Sequence, residues 1–232
     1  MRPPRLVVSV KGSVVSDVED RTREALRLGA DLVEIRLDFT DDPGVIRSSR
    51  LLRSLEEKLI LTFRSKAEGG VGDLDEHVID TLYEVYRDFP SSIIDLELTK
   101  IRLDKRIARI ASRLRERLIV SWHTSSPTTL DELLRAYEEA KKLGRYVKLV
   151  VAAKDYEDNI RLLKLYDLTN ASNLIAFCMG EKGVLSRILS GLKGSPFVYT
   201  CLPSSPVAEG QLPVNLVKEI YSLLFSERRP HS

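Results

Sequence analysis

Glutamine is all but missing from this chain: Gln211 is the only one in 232 residues. Cysteine and methionine occur twice each and tryptophan once. Cys178 and Cys201 are too few for a disulfide framework and fit no metal-ligand spacing, so both read as core thiols. No apolar run approaches the roughly 20 residues that a membrane-spanning helix needs. Pro3-Pro4 leads straight into Leu6–Val10, without the apolar stretch and small-residue cleavage site of a secretory signal, so a cytoplasmic location is expected. Neither sign of charge dominates: 36 Lys and Arg against 34 Asp and Glu give a net charge of +2. A balance that close leaves no basic footprint for nucleic acid. The run Arg113-Leu114-Arg115-Glu116-Arg117 reads instead as the solvated end of a helix. Charged residues at 30%, with so little Gln, Met and Cys, resemble thermophile usage.

What is present is a repeating pattern. Hydrophobic residues make up 43% of the chain, ample for a core. Short apolar or β-branched runs fall at Leu6–Val10, Leu32–Asp38, Leu59–Arg64, Ile93–Leu98, Leu118–His123, Tyr146–Ala153, Asn173–Met179 and Phe197–Leu202. Between them lie segments of helical periodicity, among them Asp17–Leu28, Asp75–Arg87, Leu103–Arg117, Thr129–Leu143 and Tyr156–Thr169. Gly29, Gly144 and Asn170 stand where helix C-caps belong. Successive strands start about 25 to 35 residues apart, the size of a βα unit. Strict alternation implies a parallel sheet with helices outside it, and eight units fit an α/β fold of the (β/α)8 TIM-barrel type. An open doubly wound sheet is the competing arrangement, but Lys11-Gly12-Ser13 lacks the spaced glycines of a dinucleotide fingerprint. No linker interrupts the pattern, so one domain is expected over residues 1–232, with a short charged tail from about 226.

The strands carry charges at every second position. Alternation puts Val33, Ile35 and Leu37 on one face of the second strand and Glu34, Arg36 and Asp38 on the other. The same logic places Thr62 and Arg64, Asp95 and Glu97, Ser121 and His123, and Lys148 on the inward faces of the next four strands. An interior built only for packing would hold Val, Ile and Leu. Unpaired buried ions cost several kcal/mol each, so the set implies either a use or a self-satisfied ionic network. Lys148 stands out, inside the otherwise apolar run Tyr146–Ala153. Lost hydration should move its amine toward neutrality and make it a nucleophile for carbonyl carbon. Snorkelling to solvent, or pairing with a buried carboxylate, are the structural alternatives.

Barrel active sites lie at the C-terminal ends of strands, where Arg64 and His123 fall. After Arg64, the turn Ser65-Lys66-Ala67-Glu68-Gly69-Gly70 can aim Glu68 back over the mouth. A Schiff-base lysine acidifies the carbon beside the former carbonyl, and a histidine with a near-neutral pKa can move that proton. Glu68 can fix the imidazole tautomer. Arg187 and Gln211 suit a substrate carboxylate, while Glu34, Arg36 and Arg64 suit hydroxyls. The residue types fit elimination, a class I (Schiff-base) aldolase reaction, or a catalytically silent anion-binding barrel.

The motifs resemble one family along nearly the whole chain: type I 3-dehydroquinate dehydratase, of the shikimate pathway. They are Glu34-Ile35-Arg36-Leu37-Asp38, Thr62-Phe63-Arg64 with Glu68-Gly69-Gly70, and Ser121-Trp122-His123. Val147-Lys148-Leu149, Met179 to Arg187, Gly194-Ser195-Pro196-Phe197 and Gly210-Gln211 complete the set. The resemblance implies a lyase without metal or cofactor, acting on 3-dehydroquinate in aromatic amino-acid biosynthesis, in many members as a homodimer. It implies that Lys148, His123 and Glu68 are catalytic. Ser9, Glu34, Arg36, Arg64, Arg187 and Gln211 would bind substrate. Two stretches depart from the family pattern. The usual serine and proline of the last loop are replaced by Val207 and Glu209, leaving Ser204 or Ser205 as candidates to supply the hydroxyl. Thr124-Ser125 stands where Asp-Phe is common after the histidine.

Overall fold

The computed structural model describes residues 3–126, 128–169 and 172–225. Eight strands form one sheet: β1 (Arg5–Val10), β2 (Leu32–Arg36), β3 (Leu59–Thr62), β4 (Ile93–Glu97), β5 (Leu118–Thr124), β6 (Tyr146–Ala152), β7 (Leu174–Met179) and β8 (Phe197–Cys201). Every ladder is parallel, in the order β7-β6-β5-β4-β3-β2-β1-β8. The outer pair, β7 and β8, meet at the seam through the rings of Phe177 and Tyr199, whose centroids are 5.8 Å apart. The expected (β/α)8 barrel is therefore what forms.

The helices are α1 (Val15–Arg27), α2 (Arg50–Ser54), α3 (Glu76–Asp88), α4 (Leu98–Leu103), α5 (Lys105–Leu114), α6 (Leu130–Ala140), α7 (Glu157–Thr169), α8 (Val184–Leu192) and α9 (Val214–Phe225). Local chemistry sets several starts. Asp75 accepts from the Val78 amide ahead of α3. Thr129 and Glu132 form a reciprocal capping box on α6. Gly29, at φ 98°, follows α1, and the Gly144 amide donates to the Ala140 carbonyl at the end of α6. Asn170, like the tail from 226, lies outside the described residues.

Several expected boundaries move. β2 ends at Arg36 and β3 at Thr62, because Leu37–Phe39 turns into a 3-10 helix and the chain after Thr62 leaves the ladder. Leu98 opens α4 with no intervening loop. The helix expected over Leu103–Arg117 is cut at Asp104, whose carboxylate accepts from the Arg106 and Ile107 amides and starts α5 afresh. Thr124 extends β5, paired with Val151.

Two apolar clusters sort by strand face. Val33, Ile35, Leu61, Val120, Val147 and Leu149 pack outward against helices such as α3 and α6. Each fully buried Val, Leu or Ile contributes about 1.5–3 kcal/mol, so this belt carries the fold. Inside the barrel, Val7, Leu32, Ile60, Ile119, Ile175 and Phe197 form an apolar cluster of their own. The charged residues share that inward face at later strand positions. Among the described residues, no helix is long and apolar enough to cross a membrane.

Candidate active site

Lys148 is buried at 4% exposure, so snorkelling is excluded. Its Nζ donates to Glu34 Oε1 and to Asp95 Oδ2, each at 3.2 Å, and lies 3.9 Å from the Tyr199 ring centroid. The ion-paired alternative is therefore realised, on a cation–π floor. Register explains the meeting, since Lys148 stands beside Ser121, Ser121 beside Glu97, and Ser9 beside Glu34. Glu34 also accepts from Ser9 Oγ at 2.7 Å and Thr62 Oγ1 at 3.0 Å. Burial works to raise the Glu34 pKa, but the charges of Lys148 and Arg36 prevail and hold it low. Burial likewise opposes Asp95, yet Arg64, Lys148 and the Ser121 hydroxyl bring it down to about 2. Both carboxylates are ionised beside the amine at neutral pH.

Arg64 organises the next ring. It reaches Asp95 at 2.8 Å, Ser121 at 2.9 Å, Glu97 at 3.3 Å and Glu68 at 3.4 Å. Burial pulls against its charge, and the surrounding carboxylates more than compensate, raising its pKa. Glu97 takes the Ser65 amide and hydroxyl, both at 2.7 Å, which fixes the root of the turn after β3. Arg36 makes a two-pronged pair with Asp38, at 2.8 and 2.6 Å. Asp38 in turn accepts the Arg64 and Val71 amides at 3.2 Å each, pinning both ends of that turn. The turn closes tightly: a side chain at Gly70 would put a Cβ 1.9 Å from the Arg64 carbonyl oxygen, and Gly69 has φ 83°. The glycine pair thus aims Glu68 inward, as the sequence implied.

Glu68 meets His123 there. Its Oε2 accepts the His123 backbone amide at 2.9 Å and lies 3.2 Å from Nδ1. Burial drives the His123 pKa well below the imidazole range, assisted by the positive charges of Arg64, Lys148, Arg36 and Arg187. Burial pushes Glu68 the other way, to about 7, with Arg64 opposing and Glu97 reinforcing the rise. The imidazole is neutral in the free protein, ready to accept a proton, and the carboxyl is the group that titrates near neutrality.

Arg187, on α8, closes the far part of the site. Its guanidinium stacks 4.6 Å from the Phe177 ring centroid and donates from Nη2 to the Glu209 carbonyl at 3.2 Å. Nε is buried without a hydrogen-bond partner, and no carboxylate pairs with the group among the described residues. Burial without a counter-charge lowers its pKa to about 10. An uncompensated buried guanidinium beside a cavity is suited to an incoming anion. Gln211 sits in the last loop, where its Oε1 accepts the Val207 and Ala208 amides at 2.9 and 3.1 Å. Its amide group donates to Ser9 Oγ at 3.3 Å.

These residues line one cavity of about 570 Å³, open at its mouth. It gathers Ser9, Glu34, Arg36, Arg64, Glu68, His123, Lys148, Arg187 and Gln211, every site residue expected from the sequence. Ser204 and Ser205 are not on its wall; Ala208 is what the last loop contributes besides Gln211. Sequence reasoning passed over Tyr199 and Phe177, although alternation along their strands marks both as inward. It also passed over Thr99, which donates to Glu68 Oε1 at 2.6 Å across a strand boundary that no local pattern reveals.

Comparison with known proteins adds an independent line. The family model for type I 3-dehydroquinase matches residues 6–228. The 3-dehydroquinate dehydratase of Pyrococcus abyssi is 35% identical over 197 residues, spanning 84% of this chain and 88% of that protein. That of Methanothermobacter thermautotrophicus is 31% identical over 228 residues, 96% of this chain and 98% of its own. The crystal structure of the Geobacillus kaustophilus 3-dehydroquinate dehydratase superposes with a TM-score of 0.84 at 26% identity, covering 97% of this chain and 93% of that one.

Proposed function

Because the chain belongs to the type I 3-dehydroquinase family, we propose that it dehydrates 3-dehydroquinate to 3-dehydroshikimate through a Schiff base on Lys148. The observation that carries this reading is the pairing, within one cavity, of a buried amine with a buried guanidinium that has no counter-charge. Arg187 takes the substrate carboxylate, helped by the Gln211 amide and Ser9. Arg36, Arg64 and Glu34 face the ring hydroxyls. Lys148 Nζ adds to the ketone carbon, and water leaves as the iminium forms. His123, neutral in the free enzyme, removes a proton from the adjacent carbon to give the enamine. The imidazolium, stabilised by the Glu68 carboxylate, then protonates the departing hydroxyl. Water adds to the new iminium and frees the product and the amine.

The remaining expectations belong to the same proposal: a single catalytic domain over residues 1–232, cytoplasmic, acting as a homodimer. Exposed Tyr156, just ahead of α7, Ile160 on α7, and Leu185 and Leu189 on the adjacent α8 supply apolar surface suited to a second copy. Sedimentation should give twice the mass of one chain; a single-chain mass at micromolar concentration would remove the dimer. Borohydride reduction with 3-dehydroquinate, followed by peptide mapping, tests the chemistry. A reduced adduct should appear on Lys148, and an unmodified Lys148 would sink the mechanism.

A further inference from the structure

Glu68 has two carboxylate oxygens, and the structure divides their work. Oε2 serves His123 twice, through the backbone amide and Nδ1, and also meets Arg64 Nη1 at 3.4 Å. Oε1 faces the opposite way and accepts the Thr99 hydroxyl at 2.6 Å. Thr99 is half-buried in the first turn of α4, which follows β4 directly, so its backbone is tied to the strand carrying Asp95 and Glu97. It is not on the wall of the substrate cavity.

We propose that Thr99 is a positioning residue for proton transfer: its hydroxyl locks the Glu68 carboxylate so that Oε2 stays on the His123 ring through the catalytic cycle. The inference rests on the dehydratase reading, in which His123 passes from neutral to charged and back. A carboxylate on a turn can rotate about its last side-chain bond. A contact at the second oxygen, pointing away from the histidine, fixes the carboxylate plane from its other end, and a hydroxyl donating to a charged oxygen is among the stronger hydrogen bonds. Arg64 cannot do this alone, because its Nη1 is shared among Glu68, Glu97 and Ser121. The charged and titratable groups facing Glu68 are Arg64 after β3, Glu97 on β4 and His123 on β5. Thr99 adds a neutral donor that favours the ionised carboxylate, the form needed opposite an imidazolium.

The test compares Thr99→Val, which keeps the shape and loses the donor, with Thr99→Ser, which keeps the donor. For Thr99→Val, kcat should fall about ten- to a hundredfold, the range expected for losing a hydrogen bond to a charged group. KM for 3-dehydroquinate should stay within about twofold, since Thr99 does not touch the cavity. Thr99→Ser should restore most of kcat. A carbon-13 titration of the Glu68 carboxyl gives a readout independent of turnover: its midpoint should move up in Thr99→Val and return in Thr99→Ser. An unmoved midpoint, or unchanged kcat in a variant that still forms the borohydride-trapped Lys148 adduct, overturns the proposal. A shifted midpoint with no adduct in the unaltered protein would leave the locking contact standing and reject the dehydratase reading instead.

Discussion

Lys148 shows how one side chain can serve both stability and chemistry. Its ammonium lies between Glu34 and Asp95, each 3.2 Å away, all three buried. The pair of carboxylates would repel each other without it, since each lies close enough to oppose the other's charge. Replacing Lys148 by Met keeps the length and removes the charge. That leaves Asp95 paired with Arg64 alone and Glu34 with only the charge of Arg36, a change of about 3–5 kcal/mol by analogy with broken buried ion pairs. The sign with pH follows. In the intact protein Glu34 and Asp95 are held below their unfolded values, so they add stability above about pH 4 that disappears as pH falls through their folded values. In Lys148→Met the part of that contribution that comes from the amine is gone, while Arg64 still holds Asp95 and Arg36 still acts on Glu34. Urea unfolding should show the largest gap between the two proteins near pH 8 and a much smaller one near pH 3. Equal stabilities at pH 8 would mean that the amine does not compensate these carboxylates.

At the scale of elements, what the sequence made legible was the face of each strand. Glu34, Arg36, Arg64, His123 and Lys148 recur at a period of two among Val, Ile and Leu, and in a barrel whose outer face packs on helices the apolar set faces out and the charged set in. Less legible was where elements stop. Leu37 and Leu98 look like strand residues because apolar side chains fit a strand end and a helix start equally well. The break at Asp104 hid for a related reason: an aspartate cap interrupts a helix without the glycine or proline that normally announces it. Partners contributed by separate elements were not readable at all. Asp38 could be placed inward from alternation, yet its hold on Arg36, Arg64 and Val71 depends on how the turn after β3 folds back. Thr99 lay beyond reach for the same reason: with Leu98 assigned to the strand, the helix that presents its hydroxyl to Glu68 was not in view.

The whole molecule sets charge above an apolar floor inside one barrel, and that arrangement has a consequence for its pH stability. Burial raises Glu68 from 4.5 to about 7 and carries His123 well below 6.5. Between about pH 4.5 and 6.5 the folded protein therefore keeps a proton on Glu68, whereas the unfolded chain keeps one on His123. The proton counts match, so this pair alone gives a nearly flat stability profile over that window. Glu68→Gln removes one half of the compensation. The raised carboxyl contributes stability that is complete below about pH 4.5 and is lost as pH rises through about 7. Relative to the unaltered protein, Glu68→Gln should therefore gain with rising pH, by up to about 3 kcal/mol above pH 8. Its own profile should climb from pH 5 to 6.5, exposing the His123 contribution, since a histidine held neutral stabilises the fold only once the unfolded chain has also lost its proton. Urea unfolding of both proteins at pH 4.5, 6 and 8 measures this directly. Parallel profiles would show that Glu68 is not raised by burial, and that the carboxylate faces His123 in its ordinary ionised form throughout.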